Sequence, residues 1–388
     1  MPVVQVFTAA QAAKVSPEGP PTALAPTAAP TSVETFLEHV VNSRLVGRDK
    51  VSALRKQLNG ETGKPLTPAQ LGERLVEQGQ LTRWQMQKIL AGKHEGFVLG
   101  NYRLRDHIDN GSIAAVFEAE HCMTHERVAL KILLPHLADK TSYLERFHRE
   151  ARAAQKLNHP NVVQVLDVGR EDYPSTGPLN YLVTEFSTGK TLDHLVQKDG
   201  PLEPDTATEY IRQAAKGLAR AHACGVIHRN MKPSNLLLDD GDIKIMNLGV
   251  ARFLDEDDSE SLTLRYQEKV IGTAGFMAPE QMQNSHEVDA RTDLYSLGCV
   301  YYFLLSGRAP FAGSEGVTLM LKHLTENPVS LQQLRPAIPA EMEAICSKMM
   351  AKRPDARYAT AGDLANDLNT CLVRSTIGWA RPKTQAAV

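Results

Sequence analysis

Residues 226–238 read VIHRNMKPSNLLL and residues 243–249 read IKIMNLG. Together they set three neutral amides, Asn230, Asn235 and Asn247, around one lysine, Lys232. An amide oxygen is a poor base at neutral pH, because its conjugate acid is far too strong to form. Outward from this stretch stand VALK at 128–131, REARAAQKLNHPNVV at 149–163, GTAGFMAPE at 272–280, DLYSLGCVYYFLLSGRAPF at 293–311 and RPDARY at 353–358. From Phe97 the pattern is one of short strand-like runs with turn signals, and after about residue 190 one of long helices. Strands first and helices later predict an α+β fold, a small sheet lobe of residues 97–186 joined to a larger helical lobe of residues 187–372.

Over roughly residues 100–372 these motifs, in this order, resemble the protein kinase superfamily. One such motif is weak; seven in register are specific. GTAGFMAPEQ and RPDARYATAGDL are similar to bacterial Ser/Thr kinases, and LTRWQMQKILAGKHEGFVLGNYRL is similar to planctomycete members. The resemblance implies a bilobal protein kinase-like fold and a nucleotide pocket built from Lys131, Glu150, Gly111, Val116, Ala129, Glu185 and Leu237. It also makes Asn230 and Lys232 the counterparts of catalytic residues, and Asn235 and Asn247 the counterparts of metal ligands.

The departures from the family pattern are chemical. Phosphoryl transfer in the family is mostly positioning plus charge stabilisation. The family's HRD reads His228-Arg229-Asn230, so the acid that accepts the substrate hydroxyl proton is an amide. Losing a general base typically costs about 10² to 10⁴ in rate. The family's DFG reads Asn247-Leu248-Gly249, and Asn235 is neutral as well. Magnesium favours carboxylate oxygens, so magnesium binding is doubtful here. Aligned on Val116, the three glycine positions of the phosphate loop hold Asp109, Gly111 and Ala114. Side chains there restrict the approach of backbone amides to phosphate, and Asp109 adds an anion, so ATP is expected to bind weakly. A deliberate pair of Asp→Asn replacements would explain two of these departures and leave the glycine loop unexplained.

The scaffold residues that the resemblance implies are kept. Lys131 and Glu150 stand where the family forms its small-lobe ion pair, Glu280 and Arg357 where it anchors the activation segment, and Asp293 where it braces the catalytic loop. Ser259, Ser261, Thr263 and Thr273 are hydroxyls of that segment, and Arg229 is the cation expected to pair with a phosphate placed there. The acidic run Asp255–Glu260 reads as a solvated loop.

Residues 1–31 are rich in Ala, Pro and Thr and are expected to be a disordered tail. Residues 32–96 read as a small domain of three or four amphipathic helices. Thr31 with Glu34, Thr67 before Pro68, and Thr82 are the expected N-caps. Residues 373–388 form a C-terminal tail. The net charge of −2 supplies no field for nucleic acid. No apolar run reaches the roughly 18 to 20 residues needed to span a bilayer, and no secretory signal opens the chain. Five scattered cysteines without a CxxC pair suit a reducing cytoplasm and read as small core residues.

The residues therefore point to a pseudokinase acting as scaffold or allosteric regulator through a protein partner, with an active kinase among the candidates. Two alternatives remain at this stage. One is a slow Ser/Thr kinase with atypical metal coordination, recruiting Glu150 or Asp242. The other is a passive kinase-like platform for a working N-terminal helical adaptor.

Overall fold

The computed structural model describes residues 29–30, 32–60, 66–110, 114–138, 144, 147–148, 151, 154–173, 177–248, 274–283 and 288–377. The chain divides into two compact units, residues 1–144 with 167–186, and residues 145–166 with 187–388.

The first unit opens with four helices, α1 (Val33–Asn42), α2 (Arg48–Gly60), α3 (Pro68–Glu77) and α4 (Arg83–Leu90). Their apolar faces close on one another around Phe36, Leu37, Val40, Leu71, Leu75, Ile89 and Phe97. Thr67 and Thr82 cap α3 and α4 as expected, each in a full capping box with Gln70 and Gln85. The cap of α1 is Ser32, whose hydroxyl accepts from the Thr35 amide at 3.1 Å, one residue later than Thr31. Thr31 lies outside the described residues.

Strands β1 (Val98–Leu99), β2 (Tyr102–Asn110), β3 (Ala114–His121), β4 (Arg127–Leu133), β5 (Val165–Tyr173) and β6 (Gly177–Glu185) form a six-stranded sheet in the order β1-β2-β3-β4-β6-β5, and the short helix α5 (Pro135–Ala138) follows β4. Along β3 and β4, alternate residues divide between the two faces. Ala115, Phe117, Ala119, Val128, Leu130 and Ile132 are buried on one face with Trp84 of α4 packed against them. Val116, Ala129 and Lys131 are half-buried on the other. Trp84 meets Phe97 and Phe117 edge-on at 5.8 and 5.7 Å.

From residue 187 onward the second unit holds the two-residue β7 (Lys190–Thr191), α6 (Leu192–Asp199) and the 20-residue α7 (Pro204–Ala223). The hairpin β8 (Leu236–Asp239) and β9 (Asp242–Ile245) joins β7 in a three-stranded sheet. Helices α8 (Pro279–Gln283), α9 (Arg291–Ser306), α10 (Gly316–Thr325), α11 (Leu331–Leu334), α12 (Ala340–Met349) and α13 (Ala361–Ile377) complete it. In α9 every residue from Thr292 to Leu305 is buried, so this apolar run is a core helix; it ends at Gly307 in the left-handed conformation, φ 76°. Gly217 lets α7 lie close against the chain at Asn161, because a Cβ there would meet the Asn161 carbonyl oxygen at 2.6 Å.

Three cysteines, Cys299, Cys346 and Cys371, are core residues as expected. Two are not: Cys224 caps the exposed end of α7, and Cys122 is half-buried beyond β3. Among the described residues no helix is long and apolar enough to cross a membrane.

Candidate functional site

In the second unit the loop 226–235 is hung from one carboxylate. Asp293, fully buried in the first turn of α9, accepts from the backbone amides of His228 (2.8 Å) and Arg229 (2.7 Å) and from His222 Nε2 (2.8 Å). Arg229 takes a left-handed backbone, φ 60°, which a non-glycine residue adopts only when its surroundings hold it. Gln281 Nε2 closes the other side by donating to the Arg229 carbonyl at 2.8 Å. His228 donates from Nε2 to the Met246 carbonyl (2.8 Å), and its Nδ1 accepts from the Asn230 amide (3.2 Å). That sets the tautomer. Burial lowers the His228 pKa, the nearby Asp293 carboxylate opposing it, so the ring is a neutral strut.

The amides form a chain of their own. Asn247 Nδ2 donates to Asn235 Oδ1 at 2.9 Å, and Asn235 Nδ2 donates to the Asn230 carbonyl at 2.7 Å. The Asn235 backbone is fastened as well, its N–H donating to Lys232 and its C=O accepting from Met246, both at 2.9 Å. Asn247 itself is left-handed, φ 61°. Asn230 Oδ1 is a buried acceptor with no hydrogen-bond partner among the described residues. Burial lowers the Lys232 pKa, with the Asp193 carboxylate opposing the shift. Burial also raises the Asp193 carboxyl, against the pull of Lys232.

This donor set does not fit magnesium. It contains no carboxylate at positions 230, 235 and 247, and the Asn235 side-chain oxygen that would face a cation already accepts an N–H. Asp242 stands at the exposed tip of the β8–β9 hairpin opposite Asp239, at the other end of β9 from Asn247. Among the described residues no group of three or more His, Cys, Asp or Glu is placed to hold a metal.

In the first unit Lys131 lies on β4 between Val116 of β3 and Leu182 of β6. Burial pushes its ammonium down to about 8. With Val116 and Ala129 on the same face, it makes a small apolar shelf ending in a cation, which fits a nucleotide's base and phosphates. Glu185 ends β6 opposite Val128. Thr184, one residue earlier, is buried, with its hydroxyl 3.5 Å from the Ala129 carbonyl. Asp109 pairs with Val116 and is exposed, while Ala114 opens β3. Gly111 and Glu150 lie outside the described residues, and with them the Lys131–Glu150 pair; Ser259, Ser261, Thr263 and Thr273 do too. Leu237 is buried on β8 in the second unit.

Glu280 and Arg357 form a two-pronged ion pair at 2.6 and 2.8 Å. The other guanidinium hydrogens go to the carbonyls of Ala351, Arg291 and Lys352 at 2.7 to 3.0 Å. Thr292 donates to Glu280 at 2.9 Å, and Tyr295 lies under Arg357 at 4.9 Å. Burial alone would raise the Glu280 carboxyl, and the Arg357 guanidinium outweighs it, so the pKa is lowered.

Sequence reasoning missed His222, Gln281, Thr292 and Thr184. The first three act through single hydrogen bonds to residues far along the chain, which no local pattern announces. Thr184 was findable as the last buried position of β6 before Glu185.

Sheet-rich and helical units of this kind, with an HR-x-x-K-x-x-N loop braced from a buried helix, define a protein kinase fold. The protein kinase domain family matches residues 102–367, so the chain belongs to that family. It is 39% identical over 268 residues to the serine/threonine-protein kinase PknB of Mycobacterium leprae, a match of 69% of this chain and 42% of that protein. It is 35% identical over 283 residues to PrkC of Bacillus subtilis, 73% of this chain and 42% of that protein. The chain thus spans well under half the length of these curated relatives. The crystal structure of the Mycobacterium tuberculosis PknI kinase domain superposes with a TM-score of 0.53 at 23% identity, over 71% of this chain and 98% of that one, a likeness of fold.

Proposed function

We propose that this protein kinase homologue is catalytically inactive, a pseudokinase that acts as scaffold or allosteric regulator of a protein partner, an active kinase being among the candidates. The observation that carries the reading is the hydrogen bond from Asn247 to Asn235. It satisfies by an N–H the oxygen that a metal would take, and Asn230 beside it offers an acceptor that takes no proton. Nucleotide binds weakly and without magnesium, the phosphates held by Lys131. What is retained supports a conformational role, since Asp293, Glu280 and Arg357 keep the loop and its anchor ordered.

Incubation with labelled ATP and several generic acceptors tests this. The expected result is no transfer above a Lys131→Met control. Clear Lys131-dependent transfer overturns the reading in favour of a slow Ser/Thr kinase. Transfer that appears only in the Asn230→Asp, Asn247→Asp double variant identifies the amides as the cause of inactivity.

A further inference from the structure

Strand β2 is two residues longer than the stretch of β3 it pairs with. Tyr102 to Leu104 pair with His121 to Ala119; the register then shifts between Leu104 and Asp106, and again between His107 and Asp109. Arg105 and Ile108 are the extra residues of two bulges, and Ile108 is 51% exposed. A bulge twists its strand and turns backbone groups out of the ladder, where they need other partners. β1 covers the outer edge of β2 only at Tyr102 and Arg103.

The next two carbonyls are taken by α4. Gln85 Nε2 donates to the Leu104 carbonyl at 2.6 Å, and the Thr82 hydroxyl donates to the Arg105 carbonyl at 2.5 Å. These are the two residues of the α4 capping box, so each works at the helix and at the strand. Thr82 also accepts from the Gln85 amide (3.1 Å), and Gln85 Oε1 accepts from the Thr82 amide (2.7 Å). Gln85 is 3% exposed. The equivalent box of α3, Thr67 with Gln70, closes only on itself and is exposed. Trp84, between the two donors, fills the space against Phe117.

We infer that α4 is a built-in clamp on β2. Thr82 and Gln85 are positioning residues that select the doubly bulged register and so set where Asp109 and Asn110, at the end of β2, stand against Val116 and Ala115 of β3. Beyond the clamp β2 runs only to Asn110, with Asp109 held opposite Val116, whose other neighbour is Lys131. A one-residue slip of β2 would carry Asp109 away from Val116 and turn its side chain to the other face. The helical region thereby regulates the phosphate end of the first unit without contributing a chemical group. A partner that lifts α4 frees the strand. The inference rests on the proposed nucleotide reading for its purpose, but not for its test.

The test is hydrogen exchange read by mass spectrometry on the full chain, without nucleotide. Gln85→Leu removes the donor to Leu104. Thr82→Asp keeps a strong helix cap while removing the donor to Arg105. Gln70→Leu, which breaks the α3 box alone, is the control. In the first two variants the amides of 106–110 and 115–118 are expected to exchange about tenfold faster, those of 128–132 and 181–185 keeping the parent rate. Gln70→Leu should leave all four segments unchanged. Unaltered exchange at 106–110, an equal acceleration over every strand, or the same effect from Gln70→Leu overturns the clamp. Absence of nucleotide binding by the parent protein would remove the weak-nucleotide part of the proposed function and leave this result standing.

Discussion

Asn247 and Asn235 meet side chain to side chain, an amide N–H of one 2.9 Å from the amide oxygen of the other. An aspartate at 247 would bring two oxygens together at that separation and would require a cation between them. The amide removes the requirement. The end of β9 and the loop before β8 are joined by the protein's own hydrogen bond.

Asn247→Asp should therefore make the second unit depend on metal. Removing the donor leaves the 4%-exposed Asn235 facing an anion, at a cost of about 1–3 kcal/mol. Thermal unfolding in EDTA should occur a few degrees lower than in the parent, and millimolar magnesium should restore it. The parent should melt at one temperature in both buffers.

Arg357 is buried with each of its donors matched, so removing its partner strands a charge. Glu280→Gln and Arg357→Leu should each lower stability by about 3–5 kcal/mol in urea unfolding. The double variant should lose clearly less than the two together, because each single change includes the cost of the group left behind. Additive losses would mean that the pair is not coupled.

His323 on α10 is fully buried and receives the Tyr295 hydroxyl at 2.9 Å. Burial, with Lys352 adding to it, holds the imidazole down to about 3. Between pH 6.5 and about 3 the unfolded chain takes up a proton that the folded one refuses, so stability falls as the pH falls through that window. The full effect is about 4–5 kcal/mol. Urea midpoints at pH 7, 5 and 4 should drop less steeply in His323→Gln, by one proton's worth.

Gly217→Ala should destabilise although alanine is the better helix former by about 1 kcal/mol. The new methyl would meet a backbone oxygen at 2.6 Å and Ile245 Cδ1 at 2.9 Å, and the oxygen belongs to a chain that is itself hydrogen-bonded to Ile245. A net loss of about 1–3 kcal/mol is expected in chemical unfolding. A gain would show that α7 has room to shift.

Much of this was legible along the chain. The apolar periodicity and the Thr67 and Thr82 caps placed α3 and α4 to within a residue, because capping is a contact between residues three apart. The cap of α1 was misplaced by one, since Thr31 and Ser32 are chemically equal and only the folded backbone chooses between them. Cys224 was misread as core because exposure at the end of α7 is a property of position, not of residue type.

The three amides and the lysine among them were decided by the sequence, because a side chain's charge and basicity belong to its covalent structure. Tertiary structure decided what those amides do with their hydrogens. The Asn247–Asn235 bond spans 12 residues, the Asp293 brace spans 64 and 65, and the grip of α4 on β2 spans 19 and 23. Each is directional, and donors that far apart find their acceptors only when packing has already brought the backbones together.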